Sequence, residues 1–189
     1  PVIMGALIGT ADRVLRAGDL RPGDALIATK HIGIEGMSIL ASDKPELLKH
    51  FMSESETEEL LSWAEKTSVL EESKALREIA KFMHDPTEGG FMGGVGEISS
   101  LSGLQAEIDY SSVPVHPLTK RAAEKLGFDP LRLIASGSLL AAVPEDRTAE
   151  ALEQLAAVVG SMGDRLVKPV PEPSEELWRL LKMEGPEYE

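Results

Sequence analysis

Apolar residues recur along the chain with two different spacings, one typical of strands and one typical of helices. Strand-length apolar runs occur at residues 2–10, 25–29, 104–110, 137–143 and 165–170. Apolar residues three and four positions apart predict helices over 32–42, 56–70, 73–83, 117–126 and 151–159, and a last helix capped by Ser174. Because strands and helices are interspersed, the pattern indicates an α/β or α+β class.

The composition narrows the class of protein. Of the 189 residues, 42% are hydrophobic and 27% are charged, which is ordinary for a soluble globular protein. The absence of cysteine excludes disulfides, zinc–thiolate sites and thiol catalysis, and it favours a cytoplasmic location. A net charge of −13 would repel a phosphate backbone, so we expect no nucleic-acid partner. We also expect no membrane partner, because no apolar run approaches the ~20 residues of a membrane helix.

The chain begins at Pro1 without a methionine. Its first ten residues already have the pattern of a buried strand, and they lack the basic region that opens a signal peptide. We interpret the sequence as the C-terminal part of a longer protein, with an ordinary processed N-terminus as the alternative.

Residues 84–98 form the segment with the strongest functional signal. Its first residues have the pattern of a helix start, with Asp85 suited to the N-cap, Pro86 to the first turn and Glu88 to a capping box. An apolar stripe follows at Phe91, Val95 and Ile98. Capping alone explains this much of the pattern, and it predicts that Asp85→Ala removes a cap.

Five glycines between positions 89 and 96 are not explained by capping. Each costs about 0.8–1.0 kcal/mol in a helix, a sum of about 4–5 kcal/mol against a total stability of about 5–15 kcal/mol. Two explanations remain open. Another backbone packs closely against this face, or a ligand approaches the first turn, where free N–H groups and the helix dipole attract anions. In an ordinary helix, Gly90→Ala would stabilise the fold.

The other candidate residues carry weaker signals. The four histidines lack the spacing of metal ligands, although His84 adjoins Asp85 at the glycine turn. Ser136 and Gly137 precede a buried strand, where backbone could line a cleft. We therefore expect no metal site formed by this chain alone.

Several motifs together resemble the C-terminal domain of the aminoimidazole ribonucleotide synthetase superfamily. Residues 8–27 and 33–40 resemble the entry to that domain, and residues 84–90 resemble its D-P-T-x-G-G loop. Residues 126–141 resemble the matching stretch of the hydrogenase maturation factor that forms cyanide ligands. The resemblance runs in register over about residues 3–170.

The resemblance implies a three-layer α/β/α domain around a mixed sheet, spanning 1–189 with a terminal helix and tail at 171–189. It implies that an N-terminal ATP-binding domain is absent from this chain. In the longer parent protein, which is implied to be a homodimer, that N-terminal domain is the partner of this chain. ATP and Mg²⁺ are expected for that parent, and neither is expected to bind this chain tightly. The ligand- or phosphate-binding residues implied are Asp85, Thr87, Gly89 and Gly90, followed by Gly33, Gly36, Ser136 and Gly137.

Two departures from the family limit the functional expectation. The hydrogenase factor ends in a reactive cysteine, which this chain lacks, and it carries arginine where Glu88 stands. We expect a ligand-cleft domain of an ATP-dependent protein that phosphorylates an amide-type oxygen, with no activity from the isolated domain. The alternative is an interaction domain that kept the fold and lost the chemistry.

Overall fold

The computed structural model describes residues 4–6, 8–153, 156–166 and 175–183. Of the strand expected at 2–10, the described residues form no strand. Ser174 and most of the strand expected at 165–170 lie outside the described residues. In the described part of the chain, no helix has both the length and the apolarity to cross a membrane.

The described strands form a five-stranded sheet with the order β2-β4-β1-β5-β3. The strands are β1 Ala25–Thr29, β2 Phe82–His84, β3 Leu104–Ile108, β4 Leu140–Val143 and β5 Ala156–Leu166. All four pairings between these strands are antiparallel. The parallel pairing among the described residues is an isolated bridge between Ile32 and Val115. A mixed sheet was expected, whereas every pairing between the described strands is antiparallel.

The helices of the described residues surround this sheet. They are α1 Ile34–Asp43, α2 Pro45–Leu48, α3 Glu54–Ser62, α4 Leu70–Leu76, α5 Gly90–Ser102, α6 Pro117–Leu126, α7 Thr148–Glu153 and α8 Glu176–Leu181. Short 3₁₀ turns at Trp63–Lys66 and Pro130–Arg132 matter for the site.

The central strand β1 shows how the layers are built. All of its residues are buried. Leu26 and Ala28 pack with the apolar face of α5, whereas Ala25 and Ile27 pack on the opposite side with residues of α4 and α7. A third cluster joins α1, α3, α6 and α8 around side chains such as Trp63. The expected three-layer α/β/α arrangement is confirmed.

Two helix predictions were wrong because sheet pairing overrode the local periodicity. The helix expected over 73–83 ends at Leu76, and the Lys81 N–H already donates to the Ala142 carbonyl at 2.8 Å as β2 joins β4. The helix expected over 151–159 ends at Glu153, and the residues from Ala156 onward pair with β1. Non-local pairing of this kind is invisible to a window of neighbouring residues.

A largely buried ion pair ties β1 to β2. The Lys81 ammonium lies 2.7 Å from Asp24 Oδ1 and 2.9 Å from Oδ2, and the Asp24 side chain is 5% exposed. Asp24 Oδ2 also accepts the Arg21 N–H at 2.7 Å, which closes the turn that leads into β1. The turn at residues 21–24 is thereby joined to the edge strand β2.

Candidate functional site

The candidate residues meet around residues 131–138, which we call the 131–138 loop. This loop connects the 3₁₀ turn Pro130–Arg132 to β4 and passes between the N-terminal ends of α1 and α5. The Gly36 N–H donates to the Ile134 carbonyl at 3.2 Å, which joins α1 to the loop. The loop thus brings together segments that are distant in sequence, carrying Gly33, Gly36, Asp85, Gly89, Gly90, Ser136 and Gly137.

The start of α5 differs from the predicted capping box. Gly89 is the N-cap with φ 77°, and as a glycine it has no side chain to cap the helix. The expectation that Asp85 caps α5 and that Glu88 completes a capping box was wrong. The left-handed backbone at Gly89 sets the helix start four residues beyond Asp85, and this conformation favours glycine. Thr87 and Glu88 are exposed on the turn, where the Thr87 carbonyl accepts the Gly90 N–H at 3.0 Å.

Close packing by protein atoms accounts for three of the predicted glycines. A Cβ at Gly90 would overlap the Leu133 carbonyl oxygen, and a Cβ at Gly36 would come within 2.8 Å of Leu133 Cδ1. A Cβ at Gly137 would lie 2.9 Å from the Lys66 carbonyl oxygen. The expectation that Gly90→Ala would stabilise α5 is overturned by this contact. Of the two explanations for glycine at position 90, the packing explanation is the one with a visible cause.

The other second-tier residues border the same loop. Gly33 is the N-cap of α1, with φ 78°, and a Cβ there would meet Leu133 and Thr119 at ordinary contact distance. Ser136 is half-buried. Thr119 itself is fully buried, and its Oγ1 has no hydrogen-bond partner.

Asp85 is the predicted residue with the least satisfied environment. It follows β2 directly, and its buried Oδ1 has no hydrogen-bond partner among the described residues. Burial raises the pKa of Asp85, and the nearby Glu35 carboxylate raises it further. The His84 ring, the Gly137 N–H and the Lys30 ammonium act against that rise in pKa.

Glu35, which sequence reasoning missed, faces a similar situation in the first turn of α1. Its Oε2 is also buried, and the part of the chain that the structure describes offers it no hydrogen-bond partner. Lys30 does not supply the missing donor, because its ammonium contacts Ser68 O at 2.7 Å, Lys66 O at 3.2 Å and Glu72 Oε1 at 3.1 Å. An ammonium has three N–H groups, and these contacts occupy them. Among the described residues, two acceptor atoms beside the 131–138 loop are therefore left without a donor.

Lys30 also has unusual backbone geometry. Among the described non-glycine residues it is the one with positive φ, at 52°. Such residues cluster at ligand sites, where surrounding structure holds a strained backbone in place. No local sequence signal marks this position, since the left-handed conformation usually selects glycine or asparagine.

His31, also missed, adjoins Lys30 and packs in a group of three rings. Its ring centroid lies 4.5 Å from that of Trp63 and 5.0 Å from that of His116. Burial lowers the pKa of His31 to about 4, helped by His116, Lys66 and Lys30 and opposed by a hydrogen bond to the Ile32 backbone. His31 is neutral at pH 7, and its Nδ1 is buried without a partner.

His84, which the sequence favoured, has a different role. Its Nε2 contacts the Glu97 carboxylate and so links β2 to α5. Its ring also stacks on Phe82 at a centroid distance of 6.4 Å. These contacts occupy the side chain at the sheet edge. Within the described residues, His31 has a buried ring nitrogen without a hydrogen-bond partner.

Glu175 is a further residue that sequence reasoning missed, because Ser174 was expected to cap the last helix. Glu175 is the N-cap of α8, and its Oε1 accepts the Leu177 N–H at 2.8 Å. The same carboxylate accepts the Ile134 N–H at 3.0 Å and the Gly89 N–H at 2.6 Å. A carboxylate from α8 therefore sits at the glycine turn that was predicted to bind phosphate.

The described residues do not offer a metal centre. No group of three or more histidine, aspartate or glutamate side chains among them could hold a metal ion. Asp85 and Glu35 supply two carboxylates, and Mg²⁺ usually completes its six oxygen ligands with water and substrate phosphates. These two residues alone do not define a Mg²⁺ site.

The sequence of this chain is similar to a known protein family and to several of its members. The sequence pattern of the family described as AIR synthase related protein, C-terminal domain, matches residues 21–165. The carbamoyl dehydratase HypE of Rhizobium leguminosarum bv. viciae is 32% identical over 140 residues, which cover 68% of this chain and 35% of the relative. The HypE of Cupriavidus necator is 35% identical over 121 residues, 64% of this chain and 32% of the relative. The chain thus spans about a third of the length of these relatives.

Solved structures share the fold. The hydrogenase maturation protein HypE of E. coli has a TM-score of 0.69 at 23% identity, covering 86% of this chain and 54% of that one. HypE in complex with ATP has a TM-score of 0.56 at 23% identity, covering 77% of this chain and 44% of that one. The HypE–HypF complex has a TM-score of 0.58 at 24% identity, covering 80% and 54%.

Proposed function

Because the chain belongs to the family of AIR synthase related proteins through their C-terminal domain, we propose that it is the ligand-cleft domain of a longer ATP-dependent protein. The rest of that protein supplies the N-terminal domain that binds ATP and Mg²⁺ and forms the homodimer. Its reaction phosphorylates an amide-type oxygen, which turns that oxygen into a leaving group. The structures of HypE with ATP and with HypF support a nucleotide and a protein partner for this branch. A cytoplasmic location is part of the proposal.

The observation that carries this proposal is the pair of unsatisfied acceptors, Asp85 Oδ1 and Glu35 Oε2. A buried acceptor without a donor costs about 1–3 kcal/mol, so a protein retains one where a ligand completes the hydrogen bond. The NH₂ group of an amide has two donors, and two acceptors on neighbouring segments match that number. This arrangement holds the nitrogen end of the amide in the cleft.

The charge states of the two carboxylates matter for the chemistry. Phosphorylating an amide oxygen makes the NH₂ group more acidic, since electrons move from nitrogen toward the new leaving group. A carboxylate that accepts an N–H hydrogen bond stabilises that change. The raised pKa of Asp85 makes this side chain a better proton acceptor than an ordinary exposed aspartate. Thr87 is exposed on the same turn, and the proposal assigns it to contact the phosphoryl group.

A second function, an interaction domain without catalysis, is favoured by a specific observation. Packing explains the glycines at 36, 90 and 137, and Glu175 already occupies the Gly89 N–H. If the glycine turn no longer binds a ligand, these contacts are sufficient to account for its glycines.

The two functions are separated by assaying a longer protein that contains the upstream domain. Amide-dependent ATP hydrolysis should fall about 10²-fold or more in Asp85→Asn and Glu35→Gln. Glu58→Gln, an exposed change on α3, is the matched control and should keep full activity. Activity that is equal in all four proteins, or absent from the unaltered one, would favour the interaction domain.

A further inference from the structure

Lys30 carries a long side chain on a backbone that glycine would adopt without strain. Its φ of 52° lies in the left-handed region, which disfavours a Cβ. Hydrogen bonds on both sides hold this conformation: the Thr29 N–H donates to the Leu139 carbonyl at 3.0 Å, and the Ser138 hydroxyl donates to the His31 carbonyl at 2.9 Å. Glycine would allow the same hydrogen bonds, so the backbone does not explain why lysine occupies this position. A residue that stability alone would replace indicates that its side chain has a role.

The Lys30 ammonium binds residues 66–68, which lead into α4 and which we call the strap. It donates to the Ser68 carbonyl at 2.7 Å and to the Lys66 carbonyl at 3.2 Å. It also lies 3.1 Å from Glu72 Oε1, on a side chain that is 7% exposed. Because the Glu72 carboxylate is largely shielded from water, this pair is stronger than a surface pair. One ammonium therefore holds both ends of the strap and the first turn of α4.

The strap lies directly on Gly137. A Cβ at Gly137 would lie 2.9 Å from the Lys66 carbonyl oxygen and 3.0 Å from Thr67 Cα. The same Lys66 carbonyl accepts a hydrogen bond from Lys30, so one peptide group contacts both residues. On its other side, the Gly137 N–H bonds to the Asp85 carboxylate and opposes the rise in the pKa of Asp85. A continuous series of contacts therefore leads from the Lys30 ammonium through the strap and Gly137 to Asp85.

We propose that Lys30 is a positioning residue of the candidate site, because its ammonium holds the strap on Gly137 and so keeps the Gly137 N–H on the Asp85 carboxylate. A backbone N–H on one side of a carboxylate fixes its orientation, and so fixes where the free Asp85 Oδ1 faces. Lys66 and Ser68 are exposed, so without the ammonium their carbonyls turn to water and the strap leaves Gly137. The consequence for catalysis rests on the proposed function, whereas the positioning itself does not.

Hydrogen exchange of the 189-residue chain, measured by NMR, tests this role. Lys30→Gly relieves the backbone strain and removes the ammonium, so the Gly137 N–H should exchange about tenfold faster relative to the Ile27 N–H. Ile27 lies in the buried strand β1, where exchange requires global unfolding, so the ratio of the two rates separates local loosening from lost stability. Lys74→Met removes an exposed lysine from α4 and is the matched control, which should leave the ratio unchanged. An unchanged ratio in Lys30→Gly would overturn the proposal.

A second variant separates the ammonium from the flexibility that glycine adds to the backbone. Lys30→Met keeps the Cβ and the strained φ but lacks the charge, so it should raise the exchange ratio as Lys30→Gly does. A rise in the glycine variant alone would show that backbone freedom is the cause and would overturn the role of the ammonium.

The link from Lys30 to catalysis is measured in the longer protein that contains the upstream domain. In Lys30→Gly, kcat for amide-dependent ATP hydrolysis should fall about tenfold, because Asp85 is no longer held in one orientation. The KM for ATP should not change, since the upstream domain binds the nucleotide in the proposed function. Full activity together with a raised exchange ratio would overturn the link to the candidate site. If the unaltered protein lacks this activity, the proposed function fails while the exchange ratio still decides the positioning role, so the two failures are distinguishable.

Discussion

Gly90 and Leu133 occupy space that a single additional methyl group would overfill. A Cβ at position 90 would overlap the Leu133 carbonyl oxygen, and the Gly90 φ of 61° lies in the left-handed region. The left-handed backbone disfavours alanine at this position, and overpacking against a backbone carbonyl opposes it further. The contact does not relax easily, because a backbone oxygen cannot rotate away as a side chain can.

We therefore expect Gly90→Ala to destabilise the domain by about 1–3 kcal/mol in chemical denaturation. Gly96→Ala is the control on the same helix, because a Cβ there meets nothing within 4 Å. That change should stabilise by about 0.8–1.0 kcal/mol. Equal shifts in the two variants would contradict the packing explanation.

Asp85→Asn should raise the melting temperature at pH 7. The pKa of Asp85 is raised in the folded state, so its charge lowers stability as pH rises above the reference value of 3.8. The advantage of asparagine should therefore shrink as pH falls toward 3.8. Asp109→Asn is the opposite case, since hydrogen bonds from Ser111 and Ser112 lower the pKa of Asp109. It should lower the melting temperature at pH 7. A lower melting temperature in both variants would contradict the explanation that burial raises the pKa of Asp85.

His31 should make the fold sensitive to mild acid. Its pKa is about 4 when folded and 6.5 in the reference state, so protons bind the unfolded chain preferentially between these values. The contribution of His31 to the free energy of unfolding is fully present above pH 6.5 and is lost as pH falls toward 4. His31→Gln should show a shallower decline over that range in thermal melts. The His31 ring resonance should titrate near pH 4 by NMR, and a midpoint near 6.5 would refute the burial of this ring.

Breaking the pair between Lys81 and Asp24 should cost more than breaking an exposed one. Lys81→Met leaves the 5%-exposed Asp24 carboxylate without its cation, for an expected loss of about 3 kcal/mol. Lys74→Met removes a surface pair with Glu71, with an expected change within about 0.5 kcal/mol. Urea unfolding of both variants gives the comparison, and similar losses would show that the Asp24 pair is screened.

The elements that the sequence predicted well are those with local start and stop signals. α6 was expected over 117–126 and spans Pro117–Leu126, because proline opens its first turn and Gly127 ends it in the left-handed conformation. β5 lacks such signals, and its first residues are strand because β1 lies beside them. The same limit applies to the cap of α5, where Gly89 took the place expected for Asp85.

The residues of the candidate site also divide into those with a local sequence signal and those without one. The D-P-T-x-G-G motif located Asp85 and the glycine turn, since a contiguous motif survives in the sequence. Glu35 and His31 became visible only as buried atoms without partners, and that property depends on packing between distant segments. Glu175 was missed because its three donors come from three parts of the chain.

The contacts of Leu133 constrain how this sequence can drift. Its side chain fills the space of a missing methyl at Gly36, and its carbonyl oxygen does so at Gly90. Alanine at position 36 becomes acceptable only after residue 133 has become smaller. A smaller residue at position 133 leaves the backbone carbonyl in place, so the contact at position 90 remains. Positions 36 and 133 are therefore free to change together and in a fixed order, and position 90 is held for as long as the loop keeps its path.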